Sequence, residues 1–302
     1  MSAPFIWIPI TVAAAFGQVL RNGAQASLTS KIGTLGATQV RFVFGFPFAV
    51  IFLLTCLLVT GAGLPPLNIS ALVWVVLGAL AQIAATAFML MVMRDRAFGV
   101  AYAYIKTEPV SVAVLGLILL GDRLPLLAWL AIAMVSIGVV LASAKPNDLG
   151  KLLGEARPIM IGILGGALFG LSAIAFRASI LALEEGSFVV RSLTMLVVSL
   201  GTQTLLLGTW LVLREREVFL GSLREWRTSI GAGFLGAAAS AGWFMAFSMT
   251  AAANVRTLSL VEMPMAALIS RRVSGKWLAP NEWLGLGLVM GGVAVLLGSL
   301  AA

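Results

Sequence analysis

The chain has 302 residues, of which 60% are hydrophobic and 11% charged, and its mean hydropathy is +1.05. An ordinary soluble domain carries about 25% charged residues, so this composition excludes a soluble globular enzyme and a disordered tail protein and describes a chain that lives in a bilayer. The balance of 20 Lys+Arg against 12 Asp+Glu, net +8, fits basic loops on a cytoplasmic face better than nucleic-acid binding.

A membrane-spanning helix takes roughly 20 apolar residues. In chain order, the apolar runs and their breaks predict ten helices: Phe5–Ala26, Leu35–Thr60, Ala71–Met93, Ala97–Leu120, Leu124–Ala144, Pro158–Leu181, Phe188–Leu213, Ile230–Thr250, Val255–Ser270 and Ala279–Leu300. The runs are too long for strands and do not alternate. The predicted fold is therefore all-α and polytopic, with short loops and no separate soluble domain. The N-terminus lacks a cationic start and a cleavage site, so it does not read as a signal peptide.

Helix 1 carries Gln18, Arg21, Asn22 and Gln25 at i, i+3, i+4 and i+7, one stripe that must face protein or a cavity rather than lipid. Gln82 is a lone deep amide in helix 3. Helix 4 holds Tyr102, Tyr104, Lys106, Glu108 and Pro109, and helix 9 holds Glu262 and Pro264. Phe169, Trp243 and Phe244 are further candidates to line an apolar cavity. Arg177, Arg191 and Arg256 read as snorkelling or cavity-mouth residues near the outer face.

Charge in hydrocarbon costs about 2.5–3.5 kcal/mol per residue on insertion scales, so Lys106, Glu108 and Glu262 need a reason to be there. Pro109 removes an N–H and frees the carbonyl of Ile105; Pro264 does the same to Leu260. Irregular backbone at membrane depth survives only where protein or a watery cavity satisfies it, and paired broken helices point to a transport site. Two readings stand: a structural Lys106–Glu108 ion pair beside kinked helices, or a substrate path lined by Lys106, Glu108 and Glu262. The candidate binding set is those three with Gln18, Asn22, Gln82, Tyr102 and Trp243, and the helix breaks are Pro109 and Pro264. A zwitterion suits such a lining, its carboxylate near Lys106 and its ammonium near a glutamate. A deep glutamate also makes the proton a candidate coupling ion.

No histidine is present, so imidazole bases, Ser–His pairs and His-ligated metals are excluded. Cys56 is single, which rules out an internal disulfide and a thiolate metal site. Asp95, Asp122 and Asp148 fall in loops. No enzyme activity, metal or cofactor is implied, and the expected partners are a small-molecule substrate and membrane lipid.

The loops after helices 1, 3, 5, 7 and 9 hold Lys31, Arg94, Arg96, Lys145, Lys151, Arg157, Arg214, Arg216, Arg224, Arg227, Arg271, Arg272 and Lys276; the opposite side clearly holds only Arg123. The positive-inside rule then puts both termini outside, in the periplasm for an inner-membrane protein of a Gram-negative bacterium.

A shift of 154 residues brings the halves into register: Glu108 on Glu262, Gly121 on Gly275, Trp129 on Trp283 and Gly138 on Gly292. With a small slip, Phe16-Gly17 matches Phe169-Gly170 and Arg41 matches Arg191. Residues 1–150 and 151–302 are thus expected to be two five-helix repeats. Five is odd, so the second copy enters the membrane inverted, an architecture of secondary transporters.

Arg41-Phe42 in helix 2, Glu108-Pro109 in helix 4 and Gly121-Asp122-Arg123-Leu124 after it, within a five-plus-five chain of this length, resemble the drug/metabolite transporter superfamily in its ten-helix EamA-type form. The resemblance implies a monomeric inverted-repeat transporter with a central cavity that exports amino acids or related metabolites, as YddG-like exporters do. One departure is orientation: many EamA-type chains read with both termini cytoplasmic. The alternatives are a multidrug or cationic-compound exporter and a lipid flippase of similar architecture. A channel lacks a filter-like repeat here.

Overall fold

The computed structural model describes residues 5–95, 106, 108–143, 156–265 and 279–301. Among them the regular structure is α-helical. We number the helices α1 Trp7–Thr60, α2 Ile69–Asp95, α3 Glu108–Leu120, α4 Leu126–Ser143, α5 Ala156–Leu181, α6 Phe188–Arg214, α7 Arg216–Arg224, α8 Trp226–Met249, α9 Ala252–Ser259 and α10 Pro280–Ala301. Among the described residues, six segments are long and apolar enough to cross a membrane: Lys31–Thr60, Ile69–Met89, Met160–Leu181, Phe188–Arg214, Trp226–Met249 and Pro280–Leu300. Glu108–Leu120 and Leu126–Ala142 are shorter apolar helices. The chain is an all-α polytopic membrane protein. Its large side chains turn outward as lipid requires: Leu58 and Leu126 are each 84% exposed.

The first two predicted helices lie end to end in the 54-residue α1, separated at Gly33, and two other elements differ from the hydropathy reading. A straight helix of that length would be about 80 Å long. Gly33, at φ 69° and ψ 177°, breaks it instead into two arms, with a backbone conformation that residues with a Cβ avoid. The stretch after α6, expected as a loop, folds as the short amphipathic α7. The ninth predicted helix is interrupted: α9 ends at Ser259 and residues 262–265 are helical again, for a reason given below.

The chain divides into two compact units, each drawing on both halves of the sequence. Unit 1 comprises Met1–Ile83 and Ala175–Thr250. Its centre is α1 against α8, α6 and α7. Small residues let α1 approach α8: a Cβ on Gly242 would lie 2.8 Å from Ala14 Cβ, and one on Gly233 2.6–2.7 Å from Phe44. Phe42, Phe176, Phe247 and Ile180 fill the interior. Ser187 caps α6 by accepting from Val190 N–H at 3.3 Å. Asn68 caps the start of α2 by accepting from Ala71 N–H, and its Nδ2 donates to the Ala182 carbonyl at the end of α5.

Unit 2 comprises Ala84–Ile174 and Ala251–Ala302. Its main contact is α4 against α10, backbone on backbone. A Cβ on Gly138 would stand 2.7 Å from Gly285 O and 2.9 Å from Val289 N; one on Gly292 would stand 3.0 Å from Ala131 O and 3.1 Å from Val135 N. Under the 154-residue shift Gly138 maps to Gly292, Ala131 to Gly285 and Val135 to Val289, so each contact is the image of the other. The short α9 packs against α3, α4 and α10, which sets the charged residues of α3 and α9 side by side.

Candidate functional site

The site lies in unit 2, where α3 meets α9. Pro109 occupies the first turn of α3, a position where its missing N–H costs nothing. Glu108 is thereby the first helical residue, and Lys106 sits in the turn before it. A carboxylate suits a helix N-terminus, where the peptide dipoles present their positive end.

On the second side, Pro264 has no N–H to offer the Leu260 carbonyl. Deprived of its α-helical donor, the Leu260 carbonyl accepts from Met263 N–H at 3.0 Å, and Val261 N–H donates to Leu258 O at 3.1 Å. These tight i to i+3 bonds end α9 and form a turn over Leu260 and Val261, after which residues 262–265 are helical again. Glu262 opens this segment as Glu108 opens α3.

Three buried charges and the partly buried Arg256 meet here. Lys106 Nζ donates to Glu262 Oε1. Arg256 Nε lies 3.0 Å from Glu108 Oε1. Glu262 is 1% exposed, Glu108 6% and Lys106 9%. Two cations and two anions compensate each other, and each pair joins the first half of the sequence to the second. The repeat mates Glu108 and Glu262 each take a cation from the opposite half.

This arrangement changes parts of the sequence reading. Lys106 and Glu108 do share one cluster, yet each is paired with a residue of the other half and not with its neighbour. Arg256, expected near the outer face, belongs to the cluster. It was missed because a continuous helix from Val255 would carry it away from Glu262, whereas the turn at Leu260–Val261 folds it back. Gln82 is not a lone amide: it lies in unit 1, and its Oε1 accepts from the buried Gln203 Nε2 at 2.6 Å, joining α2 to α6. Trp243 is also in unit 1, 4% exposed on α8, and Gln18 is half-buried on α1. The side chain of Asn22, and Tyr102 and Tyr104 altogether, lie outside the described residues. Arg177 and Arg191 cap helix ends: Arg177 donates to the Phe247 and Thr250 carbonyls at the end of α8, and Arg191 to Leu183 O at 2.9 Å.

Residues 157–298 match the EamA-like transporter family. The matched stretch is just under half of the chain, and the chain is similar to that family there. A solved chain titled only as the crystal structure of a protein is similar to it, with a TM-score of 0.71 and 17% identity over 97% of this chain and 93% of that one; at such identity the likeness shows the fold alone. Among the curated proteins none matches.

Proposed function

We infer that the protein is a secondary transporter that exports amino acids or related small metabolites across the cytoplasmic membrane by alternating access, as YddG-like exporters do. The observation that carries this reading is the four-charge cluster of Lys106, Glu108, Arg256 and Glu262. A free amino acid brings a carboxylate that suits Lys106 or Arg256 and an ammonium that suits either glutamate. Cargo replaces an internal ion pair with pairs of its own, so no charge is stranded in low dielectric at any stage. Without cargo the pairs close on each other, which avoids the large cost of a bare buried charge. A proton on Glu108 or Glu262 would release the partner cation, which is the route by which a proton gradient would couple to export.

The inverted-repeat organisation of residues 1–150 and 151–302 is part of the same reading. It is supported by the 154-residue register and by the reciprocal contacts of Gly138 and Gly292. Inverted repeats let the two halves exchange conformations, which moves an opening from one face to the other.

The test is counterflow of radiolabelled amino acids by the purified chain in proteoliposomes. Saturable exchange that disappears in Lys106→Ala is the expected result. No exchange of any amino acid, with saturable movement of a lipophilic cation instead, would replace the amino-acid reading with a multidrug exporter.

A further inference from the structure

The short helix α7 sits between two membrane spans. One ends at Arg214 and the next begins at Trp226, so the chain leaves the hydrocarbon and re-enters it across residues 215–225. The nine residues of α7 measure about 14 Å, far short of a bilayer core of roughly 30 Å. One side of α7 is committed to α1. Val218 stands 3.2 Å from the place a Cβ on Gly36 would occupy, Ile32 stands 3.6 Å from one on Gly221, and Ser222 is fully buried. That packing holds α7 at the level where the two spans end.

The other side carries cations beside apolar groups. Arg216 and Leu223, seven apart, lie on one line of the helix, and Arg224 follows. Arg214, Arg216 and Arg224 are exposed, and among the described residues their side chains make no hydrogen bond or ion pair. The neighbouring acids do not cancel them. Glu225 is taken by Lys31 at 3.3 Å and by the Thr228 hydroxyl at 3.0 Å, and Lys31, Arg214, Arg216, Arg224 and Arg227 outnumber Glu215, Glu217 and Glu225 by two. The apolar groups at this level face outward: Leu213 is 74% exposed, Trp226 50% and Leu223 37%. Arg227 lies over the Trp226 ring, 5.4 Å from its centroid.

Exposed arginine, leucine and tryptophan at one depth suit a surface that is anionic on one side and apolar on the other. Tryptophan favours the headgroup layer, and a basic amphipathic helix binds there by burying apolar area and by attraction to anionic lipid. The guanidinium fork matches the oxygens of a phosphate. Leu213 and Trp226 belong to spans, so lipid already lies against them, and an acidic protein partner would have to displace it. We propose that α7 and the two span ends beside it form a headgroup surface for anionic phospholipid. Arg214 and Arg216 take phosphate at one end and Arg224 at the other, about 12 Å along the axis from Arg216, with Leu223 and Trp226 against the acyl chains. The surface lies in unit 1 and uses none of the four charges of unit 2. It depends neither on the amino-acid reading nor on which face of the membrane α7 occupies.

The experiment is thermal unfolding of the purified full chain in detergent, titrated with phosphatidylglycerol, with phosphatidylcholine of the same acyl chains, or with sodium phosphate at matched ionic strength. A ligand that binds only the folded state raises the midpoint. Phosphatidylglycerol should raise it at lower concentration than phosphatidylcholine, and sodium phosphate should not reproduce the shift. Arg216→Gln combined with Arg224→Gln should raise the concentration of phosphatidylglycerol needed for half the shift at least tenfold. Arg123→Gln, at an exposed cation of unit 2, should leave the titration unchanged. In wild type, about 1 M sodium chloride should remove the advantage of phosphatidylglycerol, since it shortens the screening length to roughly 3 Å; this arm needs no variant to fold. Equal potency of the two lipids, an equal response of wild type and the double arginine variant, or an advantage that survives the salt overturns the surface. The full shift with sodium phosphate alone overturns the lipid assignment in favour of a free-phosphate site. Amino-acid counterflow in vesicles is a separate readout, so loss of one reading leaves the other standing.

Discussion

Glu262, 1% exposed, has Lys106 as its cation. Removing one partner of a buried pair leaves the other charge uncompensated, which costs about 3–5 kcal/mol. Lys106→Ala should therefore lower thermal stability markedly, and adding Glu262→Leu to Lys106→Met should restore most of it. Transport should stay absent in the restored double variant, because both charges are gone. Wild-type flux in that variant would reduce the pair to packing. Glu108→Gln keeps side-chain shape and hydrogen bonding while removing the charge that faces Arg256. It should cut the transport rate at least tenfold at normal membrane levels; an unchanged rate would assign Glu108 a structural role. Lys106, Glu108 and Glu262 were legible in the sequence because a charge inside an apolar run stands out against the cost of placing it there. Arg256 was not, since its place depends on a turn several residues later, and neither was Gln203, whose role needs Gln82 opposite it.

At the level of the helices, close approach decides what glycine does. A Cβ on Gly285 would stand 2.4 Å from Ala142 N and 2.5 Å from Gly138 O, while one on Gly287, two residues on, meets nothing within 4 Å. Gly285→Ala should force α4 and α10 apart and lower the unfolding midpoint by several degrees, with Gly287→Ala close to wild type. Equal midpoints for the two variants would mean that this contact contributes little. Gly33 is a different case, since its demand is conformational: with φ at 69°, Gly33→Ala should cost about 1–2 kcal/mol through backbone strain alone, read as a lower midpoint in the same assay. The long apolar helices were legible from length alone. The short helix α7 was not. Val218 of α7 stands 3.2 Å from a Cβ placed on Gly36, and Ile32 stands 3.6 Å from one on Gly221. The α7 helix is thus defined by its packing on α1, whose polar stretch near Gly33 carries no apolar signal.

For the molecule as a whole, the open question is orientation in the membrane. From thirteen basic residues in one set of loops against Arg123 in the other, we predict by the positive-inside rule that both termini are periplasmic. An alkaline phosphatase fused after Ala302 should be active, and a cytoplasmic reporter at the same point inactive. The reverse pattern would invert the topology and with it the expected direction of export. The compact units cut across the sequence halves: each collects segments of both, and the charged cluster in unit 2 is assembled from both.

Apolar run length, loop charge and the positions of Pro109 and Pro264 are one-dimensional properties, and the bilayer converts them directly into structure. A span must reach across hydrocarbon, a deep charge must be compensated, and a proline must leave a carbonyl to be satisfied another way. That is why an all-α membrane protein and three of its four clustered charges follow from the sequence by itself. Which charge compensates which is a matter of three-dimensional neighbours. Lys106 reaches Glu262 and Arg256 reaches Glu108 only because segments far apart in the chain pack against each other. No local spacing encodes those distances, so the tertiary structure alone decided them.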